Sequence, residues 1–312
     1  MHHAALPYND YGGAMRHRLG GRIQKLAIDA AMRCPNRDGT VAYGGCTFCL
    51  DEAFTPSYCR TTSSITQQID HALQFHHSRG RKGDIYIAYF QAGTSTNAPV
   101  EHLAKIYSET LSHPAISGII VSTRPDCIDS QKLDLLEHLS HEHFVAMEYG
   151  IESVYDTTLQ AVNRGHDFAT AAHAVEATRS RGITTGAHFI VGLPDESYKD
   201  IVEGMARINS LQLDTIKFHQ LQIYRNTPMA EAWLHTPERF LFSSGDTHET
   251  YLSLMVDIIR HLDPHTAVDR IATTAPRHLL LASPLAGVRP DVLRGEVISR
   301  MQSIGAHQGD ML

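Results

Sequence analysis

Six short apolar runs, rich in β-branched and aromatic residues, recur along the chain, and a segment of helical period lies between each and the next. The runs are RIQKLAIDA (22–30), IYIAYFQA (85–92), ISGIIVSTR (116–124), FVAMEYGIES (144–153), ITTGAHFIVGLP (183–194) and TIKFHQLQIY (215–224). Helices are expected near 64–79, 99–112, 130–140, 154–162, 167–181 and 196–211. This alternation implies βα units, because parallel neighbours need a long crossover and a helix supplies it. Six units in a row fit a barrel, closed or incomplete, or a doubly wound sheet, and periodicity does not choose between them. The 312 residues suffice for one large domain, with or without a small one. We expect a polar lead without a clear element over 1–21, a core over 22–245 and a C-terminal α/β extension over 246–312 docked on the core. The extension would hold a helix (246–262), a strand-like run AVDRIATTAP (267–276) and a last helix (289–304).

Each run starts apolar and finishes polar. Side chains alternate with period two, so Tyr89 and Gln91 share a face, as do Ser122 with Arg124, and Glu148 with Gly150 and Glu152. His188 lies on one face of the fifth run, and Lys217 with His219 on one face of the sixth. Unpaired charges are expensive to bury. Five polar strand ends therefore suggest one shared polar mouth at the C-terminal ends of the strands, where barrels and open α/β sheets carry their sites.

Charge narrows the function. The net charge is −7 and 20% of residues are charged, so no basic nucleic-acid coat is present, although one basic face remains compatible with the total. No apolar run reaches bilayer length and the first residues carry no signal-peptide pattern, so a cytoplasmic protein without a membrane partner is expected. His138, His141 and His143 cluster, but a solvated helix end accounts for them.

Three of the five cysteines sit in CPNRDGTVAYGGCTFC (34–49), directly after the first strand and hence at the mouth. Gly39, Gly44 and Gly45 supply the backbone angles a tight loop needs. A C-x2-C pair with a third cysteine at the same strand end points to a metal centre. Three thiolates suit an iron–sulfur cluster with one open iron, and four suit structural zinc. Cys59 is the candidate fourth ligand for zinc. The spacing C-x11-C-x2-C-x9-C is not that of paired C-x2-C units, and zinc does not explain the polar mouth.

With Phe48 before its last cysteine, this loop resembles the cluster motif of radical S-adenosylmethionine (SAM) enzymes. The usual spacing there is C-x3-C-x2-C; the longer loop is similar to that of the YhcC/YtqA-like radical SAM proteins, related to the Elongator catalytic subunit. The segments YFQAGTSTNAP, STRPDC, EYGIES followed by NRGH, HFIVGLPDES and DRIATTAPRHLLLASP resemble that family's blocks, in order. The resemblance covers nearly the whole chain.

The resemblance implies an incomplete (βα)6 TIM-like barrel and one [4Fe–4S] cluster held by Cys34, Cys46 and Cys49. It implies S-adenosylmethionine as cofactor, cleaved reductively to a 5′-deoxyadenosyl radical that abstracts hydrogen, and a reducing partner such as flavodoxin or ferredoxin. Gln91, Gly93 and Thr94 fall where the second strand meets the cofactor's amino-acid end. Glu148 and Ser153 fall where the family contacts the ribose or the methionine part, although Glu148 is also placed for a salt bridge to a cation such as Arg124. His188 and the turn at Gly192 match the segment that packs on the adenine. Arg164 and His166 resemble the RGH of the Elongator subunit; they line the mouth, or Arg164 caps the preceding helix. Cys127 is a candidate radical donor or quencher, or a buried thiol, and Cys59 is spare.

Kinship with the Elongator subunit suggests tRNA as substrate, at a wobble-uridine side chain. Lys217, His219, Arg225, Arg270 and Arg277 are the basic candidates for RNA contact. A small metabolite or peptide is the other enzymatic possibility, and a zinc-clipped α/β binding module the non-enzymatic one.

Overall fold

The structure is a computed structural model and describes residues 6–50, 58–59, 64–285 and 287–312. Seven parallel strands form one sheet in chain order: β1 (Ile23–Ile28), β2 (Ile85–Phe90), β3 (Ile116–Thr123), β4 (Phe144–Glu152), β5 (Thr184–Val191), β6 (Thr215–Gln220) and β8 (Ala267–Arg270). Strands β1 to β6 are the six expected runs. The seventh strand comes from the C-terminal stretch beyond residue 245 and pairs parallel with β6. The sixth run is shorter than expected: after Gln220 the chain leaves the sheet, and β7 (Ile223–Tyr224) pairs antiparallel with β9 (Leu280–Ala282).

Helices fill the crossovers: α2 (Ile65–Ser78), α3 (Val100–Leu111), α4 (Ser130–Ser140), α5 (Asp156–Ala161), α6 (Phe168–Arg179), α7 (Tyr198–Glu203) and α8 (Met205–Ser210). Then come α9 (Pro228–His235), α10 (Thr247–Arg260) and α11 (Pro290–Ser303). Short polar side chains set most starts. Ser64, Asp129, Asp167 and Asp246 each accept a hydrogen bond from the backbone N–H three residues on, satisfying a donor the helix cannot pair itself.

Period two splits the sheet into two faces. Leu26, Ile28, Phe90, Ile119, Met147, Tyr149 and Phe189 belong to the main core shared with the helices. On the other face Ile87, Tyr89, Ile120 and Ala146 form a small apolar plug, with Ile23, Ile85 and Phe144 packed against it. The sheet thus curls around its own interior as a partial barrel. The interior is apolar at the N-terminal ends of the strands and polar toward the other end.

The lead is not featureless. Tyr11–Leu19 form helix α1, whose N-cap Asp10 accepts from Gly13 N and is followed by Gly20 in the left-handed region. Its low amphipathicity hid it, because tertiary contacts rather than a periodic apolar face hold it. It touches both β1 and β8, the two strands at the ends of the sheet, and Tyr11 lies 4.1 Å beneath the Lys25 ammonium. Asn9 and Gln308 tie the two chain ends together.

Candidate active site at the mouth of the partial barrel

A buried layer of four charges crosses the barrel above the apolar plug. Lys25 on β1 pairs with Asp269 on β8 at 2.6 Å and with Glu148 on β4 at 3.4 Å. Lys217 on β6 pairs with Glu148, and with Asp269 at 3.4 Å. Gly186 on β5 stands level with Glu148, and its missing side chain leaves room for the carboxylate to reach across to β6. The Lys25–Asp269 pair spans the seam between the two edge strands, which share no ladder. Two cations and two anions leave the layer neutral, which is what makes its burial tolerable.

Burial alone would raise the Glu148 carboxyl, but the Lys217 and Lys25 ammonium groups and a hydrogen bond from His188 hold it well below the usual carboxylate range. Burial pushes Lys217 down, to about 8, despite the attraction of Glu148. The His188 and His219 rings meet at 5.4 Å, tilted 50° to each other, and burial beside cations lowers both, which favours neutral imidazoles.

Above this layer opens a cavity of about 230 Å3. Cys34, Cys46 and Cys49 line it, and so do Gln91, Gly93 and Thr94 at the end of β2. His188, Arg164 and Glu152 complete the wall toward β4 and β5. Of the basic candidates for RNA contact, Lys217, His219 and Arg270 also line it; Arg225 and Arg277 do not.

The cysteine loop folds as its glycines demanded: Gly39, Gly44 and Gly45 all have φ between 80° and 89°. Cys49 N bonds Cys46 O at 3.0 Å, turning both residues to one side. No disulfide joins any of the five cysteines. Gly93, at φ 69°, comes so close to Met32 O that a Cβ there would overlap it. Thr94 Oγ1 and one Arg124 nitrogen are buried without a hydrogen-bond partner, polar groups that suit a polar ligand.

Several residues singled out from the sequence lie off the cavity wall. Glu148 is buried in the charge layer, and its partners are Lys217, Lys25 and His188; Arg124 instead makes a two-pronged pair with Asp126. Ser153 turns away to donate to Glu196. Gly192 packs on Phe242 in a separate small cleft. His166 is held down to about 4 by burial and the Arg164 charge. Burial pushes the Cys127 thiol up to about 12, and its carbonyl accepts from Thr96. The Arg164 side chain lines the mouth, while its backbone N–H caps the end of α5 by donating to Leu159 O at 2.8 Å. Glu152 and Arg124, which period two places at the mouth without a role, do line the cavity; Asn36 was not singled out.

The zinc alternative finds no support. Cys59 bonds Ala27 O at 3.4 Å, away from the cavity, and burial pushes its thiol up to about 11. Among the described residues no three His, Cys, Asp or Glu side chains are placed around one point to hold a single ion. The three loop thiols line one shared cavity. Asn36 Nδ2 and Arg164 Nη1 both point at Cys46 Sγ from 3.5 Å, donors that suit a thiolate ligand.

The Glu196 carboxyl lies buried beside Ser153 and Thr158, and burial pushes it up to about 7 from its ordinary 4.5. The folded state therefore holds this proton more tightly than the unfolded chain. Its contribution to stability is complete below about pH 4.5 and is lost as pH rises through 7, on the order of 3 kcal/mol. Chemical unfolding of Glu196→Gln across that window should lose this slope; an unchanged slope would assign it elsewhere.

Among the described residues no helix is long and apolar enough to cross a membrane. The sequence model described as the radical SAM superfamily matches residues 33–208, and that of the radical SAM C-terminal domain matches 213–301. YhcC of Escherichia coli K12 is 37% identical over 88% of this chain and 86% of its own length. YtqA of Bacillus subtilis is 32% identical over 97% of this chain and 92% of its own. A structure of the archaeal Methanocaldococcus infernus Elp3, with its N-terminus deleted, superposes with a TM-score of 0.68 at 15% identity. It covers 92% of this chain, which spans 64% of its length, and at that identity the likeness speaks for the fold alone. The superfamily match begins one residue before Cys34 and runs through the polar ends of β2 to β5, the C-terminal match takes in β6 and β8, and the chain belongs to the radical SAM superfamily of enzymes.

Proposed function

We propose that Cys34, Cys46 and Cys49 hold one [4Fe–4S] cluster, and that SAM binds beside it against the end of β2. The observation that carries this is the meeting of three loop thiols at one cavity, with two hydrogen-bond donors aimed at Cys46 Sγ. Bound together, the two cofactors supply reductive cleavage to a 5′-deoxyadenosyl radical for hydrogen abstraction. The chain's own residues bind, orient and exclude water. Thr94 and the backbone at Gly93 meet the amino-acid end of the cofactor, with Gln91 beside them. His188, neutral and fixed by Glu148, offers a flat, partly apolar face to the adenine. Glu148 acts through His188 and Lys217, so it is a positioning residue rather than a contact. Cytoplasmic reductants keep the thiols reduced, and a low-potential carrier of the flavodoxin or ferredoxin kind supplies the electron.

For the substrate we infer a side chain on a tRNA wobble uridine. The resemblance to the Elongator subunit supports this, and the basic side chain of Arg270 at the cavity suits an anionic substrate. Mass analysis of tRNA nucleosides from cells with and without the gene tests it. A wobble uridine that loses its modification supports tRNA. Unchanged wobble uridines, with 5′-deoxyadenosine still released in vitro, would transfer the chemistry to a small metabolite or peptide.

A further inference from the structure

The turn after α5, Val162–Asn163–Arg164–Gly165, is bonded to the cysteine loop at five places, one of them Asn163 Nδ2 to Tyr43 O at 3.3 Å. Thr47 N donates to Val162 O at 3.0 Å. Asn36 Nδ2 donates to Asn163 O at 2.5 Å, and Asn163 Nδ2 to Gly45 O at 2.8 Å. Arg164 Nη1 donates to Cys46 Sγ at 3.5 Å. The turn depends on Asn163 and Gly165, both in the left-handed region at φ 53° and 81°. A Cβ at Gly165 would meet Asn36 Oδ1 at 2.6 Å, so a side chain there would push the turn off the loop.

The far end of Arg164 is fixed as firmly. Its Nη2 donates to Gly150 O and lies 3.4 Å from Glu152 Oε1. Gly150 makes room for both: a Cβ there would meet Arg164 Nη2 at 2.7 Å and Glu152 Oε1 at 2.6 Å. Arg164 itself is 7% exposed. A buried guanidinium thus bridges a β4 strand end and one particular thiol. Covering that thiol alone would need no charge, and an apolar side chain would serve. A fixed cation with a compensating carboxylate behind it is a device for setting local potential.

We propose that Arg164 is a positioning residue that raises the reduction potential of the iron–sulfur centre ligated through Cys46, and that Glu152 trims this effect. The proposal rests on the cluster assignment made above. When a low-potential carrier delivers one electron, the centre becomes one unit more negative and no atom leaves. Part of that charge lies on the thiolates. A donor and full positive charge 3.5 Å from Cys46 Sγ favours the reduced form, and the Glu152 carboxylate behind it opposes it. The two side chains should therefore act with opposite signs, which a role in folding alone would not produce.

The test is an anaerobic redox titration of reconstituted protein followed by electron paramagnetic resonance, with iron content measured in parallel. R164M should lower the one-electron reduction equilibrium about tenfold, which is ~59 mV toward negative potential. R164K keeps the charge but not the planar fork, and should fall between R164M and the parent. E152Q should shift the potential the other way. An R164M protein that keeps its iron and its potential overturns the proposal. If R164M sheds its iron, E152Q and R164K decide: an unshifted potential in both overturns it, and opposite shifts support it. Absence of any [4Fe–4S] signal from the parent protein would overturn the cluster assignment as well.

Discussion

Cys46→Ala protein, purified and reconstituted without oxygen, should hold almost none of the about four irons per chain expected of one cubane. It should lack the brown absorption and release no 5′-deoxyadenosine from SAM under reducing conditions. Cys59→Ala should keep all three properties, because Cys59 bonds a β1 carbonyl away from the cavity. Cys46 is the sharpest choice among the three loop thiols: it is 5% exposed, and both side-chain donors converge on its sulfur. A colourless parent protein with equimolar zinc, lost equally in the Cys46 and Cys59 variants, would return the zinc alternative to consideration.

Glu148→Leu should destabilise the fold by about 3–5 kcal/mol, the cost of leaving buried charges without a partner. The carboxylate meets Lys217, Lys25 and His188 at once, and its side chain is 4% exposed. Its removal leaves two ammonium groups facing Asp269 alone. The double variant Glu148→Leu with Lys217→Met should recover part of the loss, since Lys25 and Asp269 remain as a neutral pair and two apolar side chains fill the space. Denaturant unfolding of the four proteins in the cycle measures the coupling directly. A loss under 1 kcal/mol in the single variant would mean that water reaches the layer and shields it. Acid should show the same charges. Glu148 is held below its ordinary 4.5 in the folded state, so its contribution is present above that pH and fades as pH falls through the folded value.

The six core strands were legible because each is long enough to show its composition and to end in polar residues. β8 was seen only as a strand-like run in an extension. Four residues, AVDR, carry too little pattern to reveal that they complete the main sheet. Helix α1 was invisible for a related reason: contacts with strands at both edges of the sheet hold it, and it has no apolar stripe. The mouth was legible as a whole, since period two places Gln91, Glu152, His188 and Lys217 on inward faces. The partners of each charge were not. Glu148 was matched to Arg124 on the neighbouring strand, whereas its partners lie 69 and 123 residues away in sequence.

What the sequence determined by itself is local and chemical: strand and helix order, the glycine-dependent cysteine loop, and polar residues at the strand ends. These follow from short-range rules of backbone angle and side-chain alternation. Only the tertiary structure decided which of those residues meet. The curl of the sheet brings β1 beside β8 so that Lys25 can reach Asp269, and the turn at Asn163 and Gly165 carries Arg164 to Cys46. Pairing across an interior depends on where the whole chain closes, and no window of the sequence contains that distance.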